Sequence, residues 1–331
     1  MGKRAHASPA GTGKPAVAFT HTDKVLFPEA GLTKGDVLAF YHAIAPRLLP
    51  HLRDRPITLE RLPDGVVEGG PRFWQKNTPD YYPDWIARVE LPTEKGKPVR
   101  YTLVNDLDTL LYLVNQGALT FHVWPSRVEN LDVPDYVLFD LDRSQATFAD
   151  VVKIAKRLRE LLESRGVTAY VKTSGKSGLH VLTAWGSDRR NAIDKMGRGS
   201  RRAEADSKIA ARQEPRPPLP MRGNYDAARA WAMDVADELV AALPDLATTE
   251  RLKSDRHGHV YVDVIQNARG HHAVPPYVLR AVPQATVSTP LEWDELTSRL
   301  NPAKFTTDVV LQRIKQQKRD PLAALTGSSN P

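Results

Sequence analysis

Cysteine is absent from this chain of 331 residues. Its absence excludes disulfides, zinc sites with thiolate ligands and iron–sulfur clusters, and we expect a protein of the reducing cytoplasm. Long apolar runs are also absent, so the sequence offers no membrane span and we expect no membrane partner. The first 15 residues lack the apolar stretch of a signal peptide.

Positive charge is in excess, with a formal net charge of +7. This balance favours a polyanionic partner, although many basic proteins bind nothing acidic. Residues 188–222 contain 10 Lys/Arg and 5 Asp/Glu, a net of +5, and include the proline-rich stretch Pro215–Pro220. We predict a long, mobile, basic insertion here. It is either a solvated loop without a role or an arm that touches phosphates.

Apolar periodicity and turn residues divide the chain into a folded domain and two tails. We predict a disordered tail over residues 1–16, a folded domain over 17–317 and a flexible tail over 318–331. Helical spacing predicts helices over 148–164, 226–243, 293–300 and 307–317, and residues 275–282 are predicted to be extended.

A short apolar strand ends in two carboxylates within Pro134–Asp142. Side chains two residues apart on a strand share a face, so Asp140 and Asp142 lie together, their Cα atoms about 6.6 Å apart. Two such charges repel unless a cation lies between them, and Mg²⁺ or Mn²⁺ suits ligands that are all oxygen. Taken alone, two solvated acids at an exposed strand end explain the motif equally well.

A third acid, Asp263, lies inside the strand-like stretch Val260–Ile265. A carboxylate among apolar strand residues is costly unless it is paired or bound to metal. If it converges on Asp140 and Asp142, the three acids form a two-metal site of the kind that clamps the attacking and leaving oxygens in phosphoryl transfer. The alternative, slightly favoured for this residue alone, is a salt bridge to an arginine.

The stretch Thr173–His180 reads T-S-G-K-S-G-L-H. Its two glycines permit a tight turn whose N–H groups can hold an anion, and Ser174, Lys176, Ser177 and His180 add polar groups. The spacing is not that of a Walker A loop. A plain Gly/Ser turn is the alternative.

Further residues fit phosphate or base binding. Taken alone, Arg256, Arg280 and His122 are each better explained by a surface ion pair, and a core or rim position explains Phe73 and Trp74 at least as well. Arg256 and Arg280 could pair with phosphates, as could His122 from its strand. Phe73 and Trp74 stand beside basic residues and could stack on an unpaired base.

In this order, the D-x-D motif, the S-G-x-x-G-x-H motif and the lone strand aspartate resemble the archaeo-eukaryotic primase superfamily. The resemblance is closest to the polymerase domain of bacterial ligase D and to stand-alone bacterial primase-polymerases. It extends from about residue 19 to residue 315, interrupted by the insertion. Further matching stretches are Thr22–Pro28, Thr33–Asp36, Val262–Asn267 and Ala273–Tyr277.

The resemblance implies a role for each matching residue. Asp140, Asp142 and Asp263 would be the catalytic residues and metal ligands. The incoming nucleotide would be held by His122, Ser174, Lys176, Ser177, His180, Arg256 and Arg280. Lys24 and Lys34 would grip a 5′-phosphate of DNA, Phe73 and Trp74 would stack on the template, and Gln266 and Asn267 would support the metal ligands from behind.

The resemblance also implies an α+β fold, in which two mixed or antiparallel sheets with flanking helices surround a central basic cleft. The expected activity is template-dependent nucleotidyl transfer that fills short gaps or extends broken ends in DNA repair, such as non-homologous end joining or excision repair. Ribonucleotides would be preferred, and Mn²⁺ or Mg²⁺ would be the cofactor.

The expected partners are nucleoside triphosphates and gapped or broken duplex DNA with a 5′-phosphate. No ligase Lys-x-Asp-Gly motif is present, so a DNA ligase and an end-binding protein would be separate. We expect a monomer near the bacterial nucleoid.

Two other functions remain open from the residues. An apolar strand ending in Asp-Leu-Asp also opens haloacid-dehalogenase-type phosphatases, in which Asp140 would be a nucleophile. A non-catalytic DNA end-binding protein would use Lys24, Lys34 and the basic insertion without needing the acids.

Overall fold

The computed structural model describes residues 17–93, 96–186 and 221–326. The predicted disordered tail over 1–16 and nearly all of the predicted insertion over 188–222 lie outside these residues. The described helices are α1 (Lys34–Leu52), α2 (Leu107–Asn115), α3 (Phe148–Ser164), α4 (Tyr225–Ala242) and α5 (Thr307–Gln316). None of them is long and apolar enough to cross a membrane.

Thirteen strands are described, most of them short. They are β1 (Val25–Phe27), β2 (Leu32–Thr33), β3 (Ile57–Arg61), β4 (Phe73–Gln75), β5 (Arg88–Leu91), β6 (Val99–Thr102), β7 (Ala118–Val123), β8 (Tyr136–Asp142), β9 (Tyr170–Thr173), β10 (Leu179–Ala184), β11 (Ala247–Thr248), β12 (Val260–Asp263) and β13 (Pro290–Leu291).

The first large sheet has six strands in the order β11-β12-β8-β10-β9-β13. All its pairs are antiparallel except β11 with β12, so the sheet is mixed. The residues of β8 that alternate with the acids, such as Phe139 and Leu141, are buried in one core with the apolar faces of α3 and α4. The opposite face, which carries Asp140, is therefore left for the site.

The second large sheet is antiparallel, with β3 at its centre between β4, β6 and β7. Ile57 and Leu59 of β3 are buried with Phe121 of β7 against α1 and α2. Alternation turns Glu60 and the neighbouring polar residues to the other face. Helix α1 begins at a capping box in which Thr33 and Asp36 satisfy each other's backbone N–H groups.

The two sheets meet through the segment that follows β12. Val123 of β7 forms an isolated bridge with Ala273. Arg280, further along this segment, donates from Nη1 to the Ser174 carbonyl beyond β9 at 2.8 Å. The polar faces of both sheets therefore line one cleft, and the predicted α+β architecture is confirmed.

Residues 318–326, the first part of the predicted flexible tail, pack onto the folded body. Leu322 and Leu325 are buried against Tyr136 and Leu138 of β8. Asp320 accepts hydrogen bonds from the Tyr277 hydroxyl at 2.8 Å and from the Leu322 N–H at 3.0 Å. Apolar burial and these hydrogen bonds hold the segment in place; residues 327–331 lie outside the described part.

Candidate active site

The antiparallel register of β8 brings the three predicted acids to one face. Asp140 pairs with Asp263 of β12 on one side and with His180 of β10 on the other. Asp142 lies two residues further along β8, opposite Tyr261. Because directly paired residues of antiparallel strands point to the same face, Asp263 faces Asp140 and Asp142 rather than the helices.

Burial and the neighbouring carboxylates both affect the pKa of Asp140. Burial, followed by the charges of Asp263 and Asp142, raises the pKa of Asp140 to about 7, although Lys172 and Arg280 act in the opposite direction. A carboxylate in this environment gains from a cation beside it. The three carboxylates are also the oxygen donors that Mg²⁺ and Mn²⁺ prefer, so they fit the expected cofactor.

Asp142 and Asp263 each accept a hydrogen bond from a neighbouring group. Asp142 Oδ2 accepts from Arg256 Nη1 at 3.2 Å, and Asp263 Oδ1 accepts from the Ile265 N–H at 2.7 Å. As the side chains stand, no group of three His, Asp or Glu residues in the described ranges is arranged to hold a metal ion. Metal ligation by the three acids therefore stays a prediction.

The loop between β9 and β10 needs both of its glycines. A Cβ on Gly175, whose φ is +72°, would lie 2.5 Å from the side chain of Arg280, and one on Gly178 would lie 2.3 Å from the Leu141 carbonyl oxygen. The Ser174 hydroxyl accepts from the N–H groups of Lys176 and Gly178 at 3.2 and 3.1 Å. These two N–H groups therefore close the turn instead of forming the open anion nest that the sequence suggested.

Arg280 is a buried cation that lies directly against this loop. It is 8% exposed, and its Nε has no hydrogen-bond partner among the described residues. Burial lowers the pKa of Arg280, whereas Glu60 and Asp140 raise it. Partial burial and then Arg280 lower the pKa of Lys176, the other loop cation. The two side chains therefore concentrate positive charge next to the acids, as phosphate binding requires.

Arg256, unlike Arg280, contacts one of the three acids directly. Its Nη1 donates to Asp142 and, at 2.8 Å, to the Ser144 hydroxyl, while its guanidinium lies 3.9 Å from the centre of the Tyr261 ring. The structure brings Arg256 to the acid pair, so in this arrangement it holds Asp142 in place. Ser177 lies exposed at the tip of the loop.

Trp74 and Phe73 face different surroundings, as neighbours on a strand must. The ring of Trp74 lies edge-on to His122, with 4.6 Å between centroids, and 6.0 Å from His272. Phe73 instead lies under the guanidinium of Arg61 at 5.2 Å. Both aromatic side chains are about half exposed, but only Trp74 belongs to the cleft face.

Lys172 and Glu60 are site residues that the sequence analysis did not single out. Lys172 Nζ is fully buried and lies 2.9 Å from His180 Nδ1, whose Nε2 is 3.5 Å from Asp140 Oδ1. Glu60 is buried on the cleft face of β3 and accepts a hydrogen bond from Arg72. The signal was present in both cases, because each is a charged residue inside an apolar strand, the pattern that drew attention to Asp263.

Comparison with known proteins identifies the family. The model of the LigD primase-polymerase domain matches residues 33–216 and 217–322. The chain belongs to the LigD primase-polymerase domain family. The predicted family is thereby confirmed, and the haloacid-dehalogenase-type alternative is wrong.

Individual relatives agree with this assignment. The bifunctional non-homologous end joining protein LigD of Bacillus subtilis is 33% identical over 304 residues, which are 92% of this chain and 43% of that protein. The multifunctional LigD of Mycolicibacterium smegmatis is 31% identical over 304 residues, 91% of this chain and 35% of that protein. The chain thus spans about two fifths of the length of these relatives.

A solved structure resembles the whole fold. The polymerase domain of Mycobacterium tuberculosis ligase D, in a complex with DNA, matches with a TM-score of 0.77 and 28% identity. The match covers 95% of this chain and 99% of that one. The likeness therefore includes both sheets and the cleft between them.

The lysines that the LigD resemblance assigns to a 5′-phosphate lie close together at the start of α1. Lys34 Nζ donates to the Thr20 carbonyl at 2.7 Å, and burial, together with the charge of Lys24, lowers the pKa of Lys34. Lys24 is more exposed and pairs with Asp64 at 2.7 Å. Two neighbouring cations at a helix N-terminus suit an anion, but their DNA contact stays a prediction.

Asn267 and Gln266 follow β12 in a short 3₁₀ turn. Asn267 is buried and hydrogen-bonds both backbone groups of Leu138, accepting from its N–H at 2.8 Å and donating to its carbonyl at 2.7 Å. It thereby ties the turn after Asp263 to the strand that carries the other two acids. Gln266 is half-buried beside it.

Proposed function

We propose that this chain is a template-dependent nucleotidyltransferase that adds nucleotides, ribonucleotides in preference, at short gaps or broken ends of DNA. Membership of the LigD primase-polymerase domain family supports this reaction. The observation that carries it is the register of β8, in which Asp263 is paired with Asp140, with Asp142 two residues away. Polymerases need carboxylates in such a cluster to bind divalent metal ions.

The cofactor would be Mn²⁺ or Mg²⁺, held by Asp140, Asp142 and Asp263. When bound there, it would supply charge neutralisation and a lowered pKa for the attacking hydroxyl. Arg256 orients Asp142 for this task through its Nη1 contact. Asn267 keeps β8 and the turn after β12 in register, so the three acids remain on one face.

The remaining residues of the loop and cleft would hold the nucleoside triphosphate. Arg280 has an unpartnered Nε beside the loop, and Lys176 adds a second positive charge. Burial, Lys172 and Arg280 lower the pKa of His180 well below its usual value, so His180 acts as a neutral donor or acceptor. Such fixed, partly desolvated groups neutralise phosphate charge with little rearrangement.

The DNA would lie across the second sheet. The related polymerase domain of Mycobacterium tuberculosis ligase D is known in a complex with DNA. In the present chain, Lys24 and Lys34 suit a 5′-phosphate, and the half-exposed ring of Trp74 suits a template base. Phe73 would contribute from the outer side of β4. We further propose that the protein acts as a cytoplasmic monomer together with a DNA ligase activity and an end-binding protein.

Primer extension on a gapped duplex with Mn²⁺ and mixed nucleotides tests the reaction. Asp140→Ala and Asp142→Ala should reduce extension by at least about 10³-fold, because the acids that would bind the metal are removed. Asp237→Ala, at an exposed position of α4, is the matched control and should extend as the wild type does. Equal extension by the wild type and both cleft variants would refute the proposal.

Primer extension, combined with a DNA-binding assay, also distinguishes a polymerase from a non-catalytic end-binding protein. If the wild type binds ends with a 5′-phosphate but extends no primer under any metal condition, end binding alone is the function. If extension depends on the acids, Lys24→Ala and Lys34→Ala should weaken use of the downstream 5′-phosphate and leave extension on an open template nearly unchanged.

A further inference from the structure

Lys76 and His271 lie at the edge of the cleft that carries Asp263. Lys76 directly follows β4, and strand alternation puts it on the same face as Trp74, which lines the cleft. His271 is exposed at the end of a turn that follows β12, and its backbone N–H donates to the Ala268 carbonyl at 3.0 Å. One residue therefore comes from the second sheet and the other from the segment that leaves the first sheet.

The turn that carries His271 packs against the second sheet. The ring of the next residue, His272, lies 6.0 Å from the ring of Trp74 between centroids. Burial lowers the pKa of both His271 and His272, and the charge of Lys76 adds to this effect, whereas Asp263 opposes it at His271. Lys76 and His271 are thus neighbours across the cleft, and the charge of Asp263 reaches them.

The polar groups at this edge are free to bind an anion. Lys76 and Arg229 of α4 are both exposed, and neither forms an ion pair or a side-chain hydrogen bond within the described ranges. Burial, followed by the charge of Arg229, lowers the pKa of His271, so a neutral ring with one N–H to donate predominates at neutral pH. An anion that enters here meets unpaired positive charge and a hydrogen-bond donor.

The position of this edge relative to the phosphate-binding loop indicates which part of the substrate it meets. Arg280 lies against the loop between β9 and β10, whereas Asp263 lies on β12, on the other side of Asp140. The attacking and leaving oxygens of a phosphoryl transfer are roughly in line. With the triphosphate at the loop, the 3′ end of the primer must therefore approach from the β12 side, and its last phosphodiester is the anion nearest to this edge.

We propose that Lys76 and His271 hold the last phosphodiester of the primer strand and thereby position its 3′-hydroxyl opposite the triphosphate. The inference rests on the proposed function, because it concerns the strand that this function extends. Lys76 supplies positive charge, and His271 supplies an N–H hydrogen bond. Neither side chain touches the reacting atoms, so both are positioning residues.

Primer extension on an open template, with the downstream strand omitted, tests this contact. Lys76→Ala should raise the KM for the primer about 3- to 5-fold, the effect of losing an exposed ion pair, and the double variant with His271→Ala should raise it about 10-fold. The KM for the nucleoside triphosphate should stay unchanged. Lys156→Ala, at an exposed position of α3, is the control and should behave as the wild type does.

A primer with a methylphosphonate, a linkage without charge, identifies the phosphate that is held. When the last linkage of the primer is a methylphosphonate, the wild type and both variants should have the same KM for the primer, because the contact is already lost. When the methylphosphonate is placed five linkages upstream, the difference between the wild type and the variants should remain.

The outcomes that overturn the inference differ from those that overturn the proposed function. A wild type that extends no primer refutes the function itself. An active wild type whose KM for the primer is unaltered in both variants overturns the inference, as does a difference that persists with the methylphosphonate at the last linkage. A difference that disappears only with a methylphosphonate in the template assigns the two residues to the template and also overturns it. Thermal unfolding of each variant verifies that it is folded.

Discussion

Lys172 is a buried amine whose contacts run from Ser288 to the acid cluster. Its Nζ donates to Ser288 Oγ at 2.7 Å and lies 2.9 Å from His180 Nδ1. A donor at Nδ1 leaves the proton of the imidazole on Nε2, the nitrogen that faces Asp140. Lys172 is thus a positioning residue that acts on the site through His180.

Replacing this amine should separate activity from stability. Lys172→Met removes the donor to His180 and should lower kcat by about 10- to 100-fold, as observed when groups that orient functional histidines are removed. Burial, followed by Arg280, lowers the pKa of Lys172 well below its usual value. An apolar side chain of similar volume removes a buried amine that is costly to desolvate, which should offset the lost hydrogen bonds and leave the melting temperature close to that of the wild type.

Primer extension and thermal unfolding are the two measurements for this variant. Lys153→Met, at an exposed position of α3, is its control and should change neither. Full activity of Lys172→Met would mean that His180 is positioned without the amine. A fall in both activity and melting temperature would assign Lys172 a structural role instead.

Asp140 should make the metal-free protein less stable as the pH rises. The folded pKa of Asp140 is about 7, above the value of about 3.9 for an unfolded chain. The folded state therefore binds the proton more tightly, and its stability falls between about pH 4 and pH 7 as this carboxyl ionises. Asp140→Asn should remove that fall, about 1–3 kcal/mol after allowance for the partial exposure of the side chain.

Denaturant unfolding with a chelator present, at pH 5 and pH 8, measures this difference. Asp237→Asn should follow the wild type at both values. Added Mn²⁺ should stabilise the wild type at pH 8 by mass action and have little effect on Asp140→Asn. A wild type and an Asp140→Asn variant with the same pH dependence would show that burial and the neighbouring carboxylates do not raise the pKa of Asp140 in solution.

The residues after α5 close one end of the cleft. His51 of α1 lies 2.6 Å from Asp320 Oδ2, and both side chains are nearly inaccessible. Leu322 and Leu325 cover a cavity that also borders Lys172 and His180. The segment therefore separates the buried end of the candidate site from water.

Breaking this anchor should destabilise the protein in a pH-dependent way. Burial alone would raise the pKa of Asp320, but the hydrogen bond and charge of His51 and the other donors outweigh it and lower the pKa. The stabilisation is present above the unfolded value of about 3.9 and disappears as the pH falls through the lower folded value.

Asp320→Asn should cost about 3–5 kcal/mol at pH 7, the range for breaking a buried pair. The difference from the wild type should shrink below about pH 4. Urea unfolding over this pH range measures it, and Asp245→Asn, at an exposed position after α4, serves as the control. A difference that stays constant to pH 2 would argue against the pairing with His51.

Elements with their own caps and apolar stripes were predictable from the sequence. The helix expected over 148–164 is α3, Phe148–Ser164, capped by Thr147 and Asp150. The prediction of a helix over 293–300 is wrong, because the structure forms a short 3₁₀ turn there, over Trp293–Glu295. There the Trp293 indole donates to the Ala169 carbonyl at 2.9 Å, and Glu295 pairs with Arg313, so tertiary contacts decide the backbone.

The relative positions of site residues were predictable from the sequence where those residues belong to one strand or one loop. Asp140 and Asp142 share a strand, and strand alternation alone puts them on one face. The approach of Glu60 and His122 to Arg280 was not predictable, because it depends on how segments from distant parts of the chain pack together. Sequence spacing holds no information about that approach.

The distribution of charge along the whole chain predicts how strongly DNA binding depends on salt. Residues 188–222 carry +5 of the net +7. If they touch phosphates, deleting them should make the dependence of log Kd on log salt less steep by about 0.9 for each phosphate that is no longer neutralised, with template choice unchanged. Fluorescence anisotropy on a gapped duplex, with the salt concentration raised stepwise, measures the slope.

A variant of full length distinguishes charge from chain length in that experiment. Replacing the ten Lys/Arg of residues 188–222 by Gln keeps the length and should reproduce the slope of the deletion, because counterion release depends on cations alone. If the deletion flattens the slope and the Gln variant does not, the segment acts through its bulk. If neither alters the slope, the DNA is held by the cations of the cleft and of the α1 N-terminus.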